Sequence, residues 1–235
     1  MSYYGAPSFR LLTPVIKNLL IINGLVYLFS IAPDTAPFVY RFLPLYYFQW
    51  PAYVEPPLGS LGMGLFYPWQ LLTYMFVHGS FSHLFFNMFS MWMFGSVLEN
   101  LWGSRRFLNY YIICGLGAAL VHQLYHMAVF HAAADVLIQL NVAQTPAVGA
   151  SGAVYGLLLA YGLLFPNTEL FIMLIPFPIK AKYAVAGLLF IDLFLAFAGF
   201  SWDNVAHFAH LGGALTGFLI LLYWRRQGLW YRRRW

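Results

Sequence analysis

Six long apolar runs, separated by short gaps that carry most of the charged residues, dominate this sequence. They extend over about 19–31, 83–98, 107–130, 151–165, 183–200 and 205–224. Because one helical span uses about 20 residues, six spans would take roughly 120 of the 235 and leave only short loops. The pattern predicts an all-α polytopic membrane protein with six transmembrane helices in a single domain over residues 1–235.

The composition excludes a water-soluble globule. Only 8% of the residues are charged and the mean hydropathy is +0.70, whereas an ordinary soluble domain has about 25% charged residues. The 12 Lys and Arg and 7 Asp and Glu residues are too few to form the polar shell of a soluble core. Cys114 is the single cysteine, which excludes an intramolecular disulfide framework.

The distribution of basic residues predicts the orientation. With six spans, eleven of the twelve basic residues fall on the side of both termini, and Arg41 is the exception. By the positive-inside rule we expect a cytoplasmic N-terminal segment over about 1–18 and a cytoplasmic basic tail over about 225–235. A tail that anchors on lipid headgroups accounts for the net charge of +5, so no nucleic-acid partner is predicted. We expect the membrane to be a bacterial inner membrane.

The segment between the first two runs is expected to lie in the outer interface. Residues 32–74 are rich in Pro, Gly and aromatic side chains, too irregular for a span and too apolar for a solvated loop. Irregular backbone is not tolerated where it meets lipid hydrocarbon. We therefore predict an interfacial first outer loop that packs against the helices.

A serine flanked by glycines begins the fourth run. Gly149, Ser151 and Gly152 stand where a loop becomes a helix, and glycine lets another backbone or a substrate approach the hydroxyl closely. The nucleophile elbow of soluble hydrolases is excluded because position 153 is Ala. Taken alone, Ser151 is also explained as a small residue in a helix interface.

A histidine in the sixth run can be placed opposite this serine. His210 stands one turn before a Gly213-x-x-x-Gly217 face, and the fourth run has a similar Gly152-x-x-x-Gly156 face. Two such faces favour contact between the helices, which would bring His210 within reach of Ser151. A lone intramembrane histidine is otherwise interpreted as a hydrogen-bonding residue that holds helices together.

His83 and Asn87 share one helical face at the start of the second run, because they are four residues apart. Both side chains can donate hydrogen bonds to an oxyanion. With the backbone N–H of Ser151 they could provide the donors that acyl transfer needs. The alternative is a polar pair that holds two helices together.

The depths expected for these groups agree. The fourth run covers about 22 Å of a roughly 30 Å hydrocarbon core, which places Ser151 about 8 Å beneath the outer face. His210 stands about six residues into a helix that starts outside, at a depth of about 9 Å. His83 and Asn87 occupy the first turns of another helix that starts outside. All four are therefore expected in one layer of the outer leaflet.

Other polar residues in the runs have structural interpretations. His122 and His126 are spaced to bind a metal or haem, but no further Cys, Asp or His pair is placed to complete a site. We therefore expect them to be structural or interfacial, and we predict no metal or cofactor. Asp192 is a candidate proton carrier or orienter, with a hydrogen bond to a neighbouring helix as the default. His78 and His207 are expected near the outer edge, partly solvated.

Four motifs follow one another along the chain in an informative order. They are His83-x-x-x-Asn87, Glu99-x-x-x-Gly103-Ser104, Gly149-x-Ser151-Gly152 and Ala209-His210-x-x-Gly213-x-x-x-Gly217. Together they resemble the rhomboid intramembrane serine proteases, over most of the chain from residue 69 to residue 217. The resemblance implies a rhomboid-like bundle of six helices.

The resemblance also implies an activity. A member of this family would be a serine endopeptidase that cleaves transmembrane helices near the outer leaflet, after a small residue, with a lateral gate between the second and fifth helices. The site residues carried over are Ser151 as nucleophile, His210 as general base, His83 and Asn87 as oxyanion donors, and Gly149, Tyr155 and His78 as supporting residues. The aromatic ring of Tyr155 would stack beneath the catalytic imidazole. The implied partners are transmembrane substrates and the bilayer, and no cofactor is needed.

Two positions depart from the family pattern. The family often has Trp-Arg in the first outer loop, where this chain has Trp69 and Gln70, which leaves the anchoring of that loop open. Gly156 follows Tyr155, an exchange between small residues that is expected to be harmless.

Three other functions stay open on the sequence. The first is a catalytically silent rhomboid-like protein that binds transmembrane clients. The absence of Ser151 or His210 would favour this alternative, but both residues are present. A His-lined transporter predicts a polar path across the midplane, whereas these polar groups lie near one face, apart from Asp192. A haem-binding cytochrome would show a Soret band.

Overall fold

A computed structural model describes residues 9–48, 66–132, 145–171, 176–198 and 206–228. Its helices are α1 (Pro14–Ile31), α2 (Ala36–Phe42), α3 (Gln70–Thr73), α4 (Phe81–Ser90), α5 (Ser96–Trp102), α6 (Ser104–Ala132), α7 (Ser151–Leu164), α8 (Ala181–Ala198) and α9 (His207–Arg226). A 3-10 turn (Tyr74–Phe76) follows α3, and a π turn (Met91–Gly95) joins α4 to α5. Parts of three predicted segments lie outside the described residues: 1–8 of the N-terminal segment, 49–65 of the outer loop and 229–235 of the basic tail.

Each of the six apolar runs contains helix in the part of the chain that is described. Four helices, α1, α6, α8 and α9, are long and apolar enough to cross a bilayer, and α7 is a shorter apolar helix. The second run is divided between α4 and α5 by the π turn. The chain is thus a mostly helical integral membrane protein, and the count of six spans stays a prediction.

Local signals explain where several helices begin. Pro14 occupies the first turn of α1, where its missing N–H has no helical partner to lose. Ser80 caps α4, because its hydroxyl accepts from the backbone N–H of His83 at 3.1 Å. Gly103 separates α5 from α6 with a φ of +82°, a conformation that glycine adopts without strain.

Small residues let α9 pack closely on α6 and α7. A Cβ atom on Gly213 would collide with the backbone carbonyl of Gly152, so the backbones of α9 and α7 touch near the N-termini of both helices. The hydroxyl of Tyr110 on α6 donates to the carbonyl oxygen of Gly156 at 2.8 Å. These contacts fix α7 between the two longer helices.

A buried glutamate joins α5 to the start of α1. Glu99 is 3% exposed, and its carboxylate accepts from the backbone N–H groups of Val15 and Ile16 at 3.0 and 3.1 Å. It also accepts from the hydroxyls of Thr13 and Ser104. Negative charge is stabilising at a helix N-terminus, so Glu99 holds α1 against the rest of the protein.

Gln70 anchors the described part of the first outer loop. The side chain is fully buried, its oxygen accepts from the backbone N–H of Tyr46 at 3.3 Å, and its nitrogen donates to the carbonyl of Phe42 at 3.3 Å. Backbone hydrogen bonds of 2.9 Å in both directions between Leu45 and Ala147 add to this attachment. An uncharged amide therefore binds the loop where the family often has arginine.

The paired strands β1 (Glu169–Leu170) and β2 (Ile179–Lys180) are the departure from the all-α prediction within the described residues. Glu169 is opposite Lys180, and Leu170 is opposite Ile179, in an antiparallel pair. Strands of two residues are too short to leave an alternating pattern in the sequence. They lie in the connection between α7 and α8.

Candidate active site

The structure brings Ser151 and His210 together. Ser151 is the first residue of α7, and His210 lies in the first turn of α9. The Oγ atom of Ser151 is 2.8 Å from Nε2 of His210, a distance at which the hydroxyl can donate to the unprotonated nitrogen. A hydroxyl that can pass its proton to an adjacent base is an activated nucleophile.

The ring of Tyr155 packs against one face of the His210 imidazole. The two rings are stacked, with centroids 4.3 Å apart and an angle of 12° between them. Tyr155 is one turn after Ser151 on α7, so the helix that carries the hydroxyl also carries the ring beneath the base. The stacking restricts rotation of the imidazole while Nε2 stays directed at Ser151.

Gly149 makes room for His83 in the turn before Ser151. Its φ is +115°, and a Cβ atom at this position would lie 2.6 Å from Nε2 of His83. A side chain here would therefore be strained and would displace the imidazole. Because glycine has no side chain, His83 can approach the backbone that leads into α7.

A cavity of about 680 Å³ opens over these groups. Its walls include Ser151, His210, His83 and Asn87. Asn87 donates one N–H of its side-chain amide to the carbonyl of His83 at 2.9 Å, and the amide has a second N–H. Hydroxyl, imidazoles and carboxamide thus converge on one space large enough for a short peptide segment.

His78 contacts His83 from the loop before α4. The two rings meet edge to face with centroids 5.0 Å apart. Burial, with a smaller contribution from the neighbouring His83, lowers the pKa of His78 to about 3, so this ring is neutral at physiological pH. The expectation that His78 and His207 are partly solvated is wrong, because the structure buries both.

The comparison with protein families gives one match. The model described as the Rhomboid domain matches residues 65–227. The chain belongs to the rhomboid family.

The curated relatives of this rhomboid are longer proteins. Rhomboid protein 1, mitochondrial, of Saccharomyces cerevisiae is 29% identical over 183 residues, which are 78% of this chain and 46% of that protein. Rhomboid protease GluP of Bacillus subtilis is 30% identical over 152 residues, 64% of this chain and 25% of that protein. Presenilin-associated rhomboid-like protein, mitochondrial, of Homo sapiens is 29% identical over 154 residues, 65% of this chain and 37% of that protein. The chain thus spans less than half of the length of these relatives, and their mitochondrial members give no support to a bacterial inner membrane.

In this rhomboid's site, Asp192 forms the hydrogen bond to a neighbouring helix that the sequence predicts, but the sequence did not identify its two partners. Asp192 on α8 lies against both His207 and His210, with an oxygen 2.6 Å from Nδ1 of His207 and both oxygens 3.2 Å from Nδ1 of His210. The signal was present, since His207 and His210 are three residues apart on one helical face and Asp192 is an acid within an apolar run. Nothing in the sequence says which face of α8 the carboxylate occupies.

Three potential metal ligands lie close together in the described residues. The ligand atoms of Asp192, His207 and His210 lie within 4.8 Å of one another. The hydrogen bonds of Asp192 to the two histidines account for these separations. His122 and His126 contact each other with centroids 4.1 Å apart and their rings tilted by 38°, and they do not belong to this cluster.

Proposed function

We propose that this rhomboid is an intramembrane serine endopeptidase that cleaves transmembrane helices of other membrane proteins near the outer leaflet. The observation that carries the proposal is the 2.8 Å separation between the Ser151 hydroxyl and Nε2 of His210. The name of the Bacillus subtilis relative, a rhomboid protease, is consistent with it. Six spans, cytoplasmic termini and an interfacial first outer loop complete the proposed arrangement.

The proposed reaction is acyl transfer through Ser151. His210 Nε2 takes the hydroxyl proton as the oxygen forms a bond to the substrate carbonyl carbon. The C–N bond then breaks, and His210 returns the proton to the leaving amine. Water adds to the acyl-enzyme by the same route, which releases the new carboxyl end and restores the Ser151 hydroxyl. Water reaches the site from the outer side because Ser151 lies near that face.

The oxyanion of the intermediate needs hydrogen-bond donors. His83 and Asn87 line the cavity from α4 and Ser151 lines it from α7, so an imidazole, a side-chain amide and a backbone N–H are available there. Donors aimed at a developing charge in a water-poor site stabilise the transition state more than they would in water. We assign this role to the three groups together, with Gly149 keeping His83 in reach.

The cavity lies between α4 and α8, since Phe86 of α4 and Leu188 of α8 both line it. Four of the residues of α8 are buried, Ala181, Ala184, Val185 and Asp192, and most of its large side chains are exposed. Because few residues of α8 pack against the rest of the protein, its place beside the cavity supports lateral access for a substrate helix between α4 and α8. A substrate must unwind locally, because a helical carbonyl is engaged in the backbone hydrogen-bond ladder.

The transporter alternative has less support. The sequence places all the polar groups of the spans near one membrane face except Asp192. This carboxylate is hydrogen-bonded to His210, so it belongs to the same layer as the other polar groups. A continuous polar path across the midplane needs groups at other depths.

The test of the proposed function is covalent labelling with a serine-directed fluorophosphonate. The purified wild-type protein is expected to carry one probe on Ser151, as mass spectrometry of the digested protein would show. Ser82 and Ser90 line the same cavity and serve as internal controls, since neither has a hydrogen bond to His210. A protein that stays unlabelled, or that is labelled equally on Ser82 or Ser90, contradicts an activated hydroxyl at Ser151.

Replacing Asn87 by Ala is expected to lower the rate of cleavage of a model transmembrane substrate by about 10²-fold, because an oxyanion donor is lost. The loss of rate is limited because His83 and the backbone N–H of Ser151 can still donate to the oxyanion. Asn100→Ala is the matched control, since this amide bonds to Arg10 and Ser96 away from the cavity. A loss in Asn87→Ala that is matched by a lower unfolding temperature, or an unchanged rate, argues against the assignment.

A further inference from the structure

Asp192 is a buried carboxylate on a stretch of α8 whose neighbouring residues face outward. It is 4% exposed, while Phe190, Ile191, Leu193 and Phe194 around it on α8 are all exposed. A charged group is costly within a bilayer and persists there with partners or a function. Asp192 therefore points inward for a reason that the packing of apolar side chains does not supply.

Three groups from two other helices surround the carboxylate. Nδ1 of His207 is 2.6 Å from Oδ1, and Nδ1 of His210 is 3.2 Å from each oxygen. The Tyr155 hydroxyl donates to Oδ1 at 3.4 Å. Since Nε2 of His210 faces Ser151, a continuous line of contacts runs from Asp192 through His210 to Ser151.

We propose that Asp192 is a positioning residue that completes a Ser151–His210–Asp192 triad, with His207 as the second anchor of its carboxylate. The inference rests on the proposed function and adds to it the group that orients the base. Asp192 itself touches neither the substrate nor the reacting atoms.

The chemistry of imidazole explains what the carboxylate does. A neutral imidazole carries its proton on either Nδ1 or Nε2, and the tautomer with Nδ1–H leaves Nε2 free to accept from Ser151. An ionised carboxylate only accepts hydrogen bonds, so at Nδ1 it selects this tautomer. It also stabilises the imidazolium that forms when His210 takes the proton, without becoming protonated itself.

His207 accounts for the orientation of the carboxylate. It lies one turn before His210 on α9, so one helix presents two imidazoles to one acidic group. The closer contact is to His207, which fixes Oδ1 and leaves both oxygens equidistant from Nδ1 of His210. Removing either histidine would leave the buried carboxylate with fewer partners.

Asp192→Asn tests the triad. The amide keeps the size of the side chain but removes its charge, and its NH₂ group can donate to Nδ1 and so select the wrong tautomer. We expect kcat for cleavage of a model transmembrane substrate to fall at least about 10-fold with KM within about 2-fold of wild type. The second-order rate constant of fluorophosphonate labelling is expected to fall in parallel. Assays contain EDTA, so that a trace cation cannot occupy the cluster.

Two further variants make the result specific. Asp192→Ala, whose side chain suits an apolar helix, is expected to lose as much activity as Asp192→Asn. If Asp192→Asn does not fold, the activity of Asp192→Ala tests the triad in its place. Asp192→Glu keeps a carboxylate and is expected to retain more activity than both. Asp34→Asn is the matched control, because Asp34 is exposed and does not line the cavity.

The outcomes separate this inference from the proposed function. Folded Asp192→Asn or Asp192→Ala protein with the kcat and labelling rate of wild type overturns the triad and leaves the dyad. An Asp192→Glu variant no better than Asp192→Ala also overturns it, because a merely structural role would explain that result. A wild-type protein that neither cleaves nor accepts the probe overturns the proposed function itself.

Discussion

A Ser151→Ala variant is expected to lose cleavage of a transmembrane substrate by more than about 10³-fold, because no other hydroxyl in the described residues is hydrogen-bonded to His210. The substitution removes one oxygen at the first residue of α7 and leaves the helix contacts of Gly152 and Gly156 intact. The variant should therefore fold as wild type does. Cleavage is measured in detergent or in proteoliposomes by the appearance of the shorter substrate fragments.

Ser90→Ala is the matched control for this experiment. Ser90 lines the same cavity from the end of α4, but the hydroxyl that is hydrogen-bonded to the imidazole is that of Ser151. Wild-type rates in Ser90→Ala with none in Ser151→Ala assign the nucleophile. Full activity in Ser151→Ala would exclude this serine and with it the proposed mechanism.

A Gly213→Ala variant is expected to lose activity by about 10²-fold although position 213 touches no reacting group. A Cβ atom there would collide with the carbonyl of Gly152, so α9 must move away from α7. Overpacking costs about 1–3 kcal/mol in stability, and a displacement of about 1 Å at reacting groups costs about 10²-fold in rate. The measurements are the cleavage rate and the unfolding temperature in detergent.

Gly24→Ala provides the comparison for this variant. Gly24 is also in the interior of a membrane helix, but a Cβ atom there meets nothing within 4 Å. It is expected to match wild type in rate and to unfold at the same or a slightly higher temperature. If Gly213→Ala behaves in the same way, contact between the two backbones does not set the distance between Ser151 and His210.

The sequence predicted those parts of the structure that depend on repeated local patterns. The apolar runs mark the helices because lipid selects apolar side chains over a whole span. The glycine faces predicted that α7 and α9 meet, since a small residue on each helix is enough to specify close approach. That contact brings the start of α7, with Ser151, close to His210 on α9.

Other features depend on relations that no local pattern contains. The approach of Asp192 to His210 depends on the rotation of α8 about its axis, which its nearly uniform apolar sequence does not specify. The attachment of the outer loop by Gln70 depends on two backbone groups far away in the chain. The π turn at Met91–Gly95 is a wider helical turn between two α-helices, and its residues are as apolar as theirs. It therefore leaves no signal in the sequence.

The shortness of α7 has a consequence for the lipid around the protein. At 14 residues it is about 21 Å long, less than the thickness of the hydrocarbon, yet nine of its residues are buried by neighbouring helices. Hydrophobic mismatch acts on a helix through the lipids that touch it. Because longer neighbours such as α6 take up that adjustment, the helix that carries Ser151 is insulated from changes in bilayer thickness.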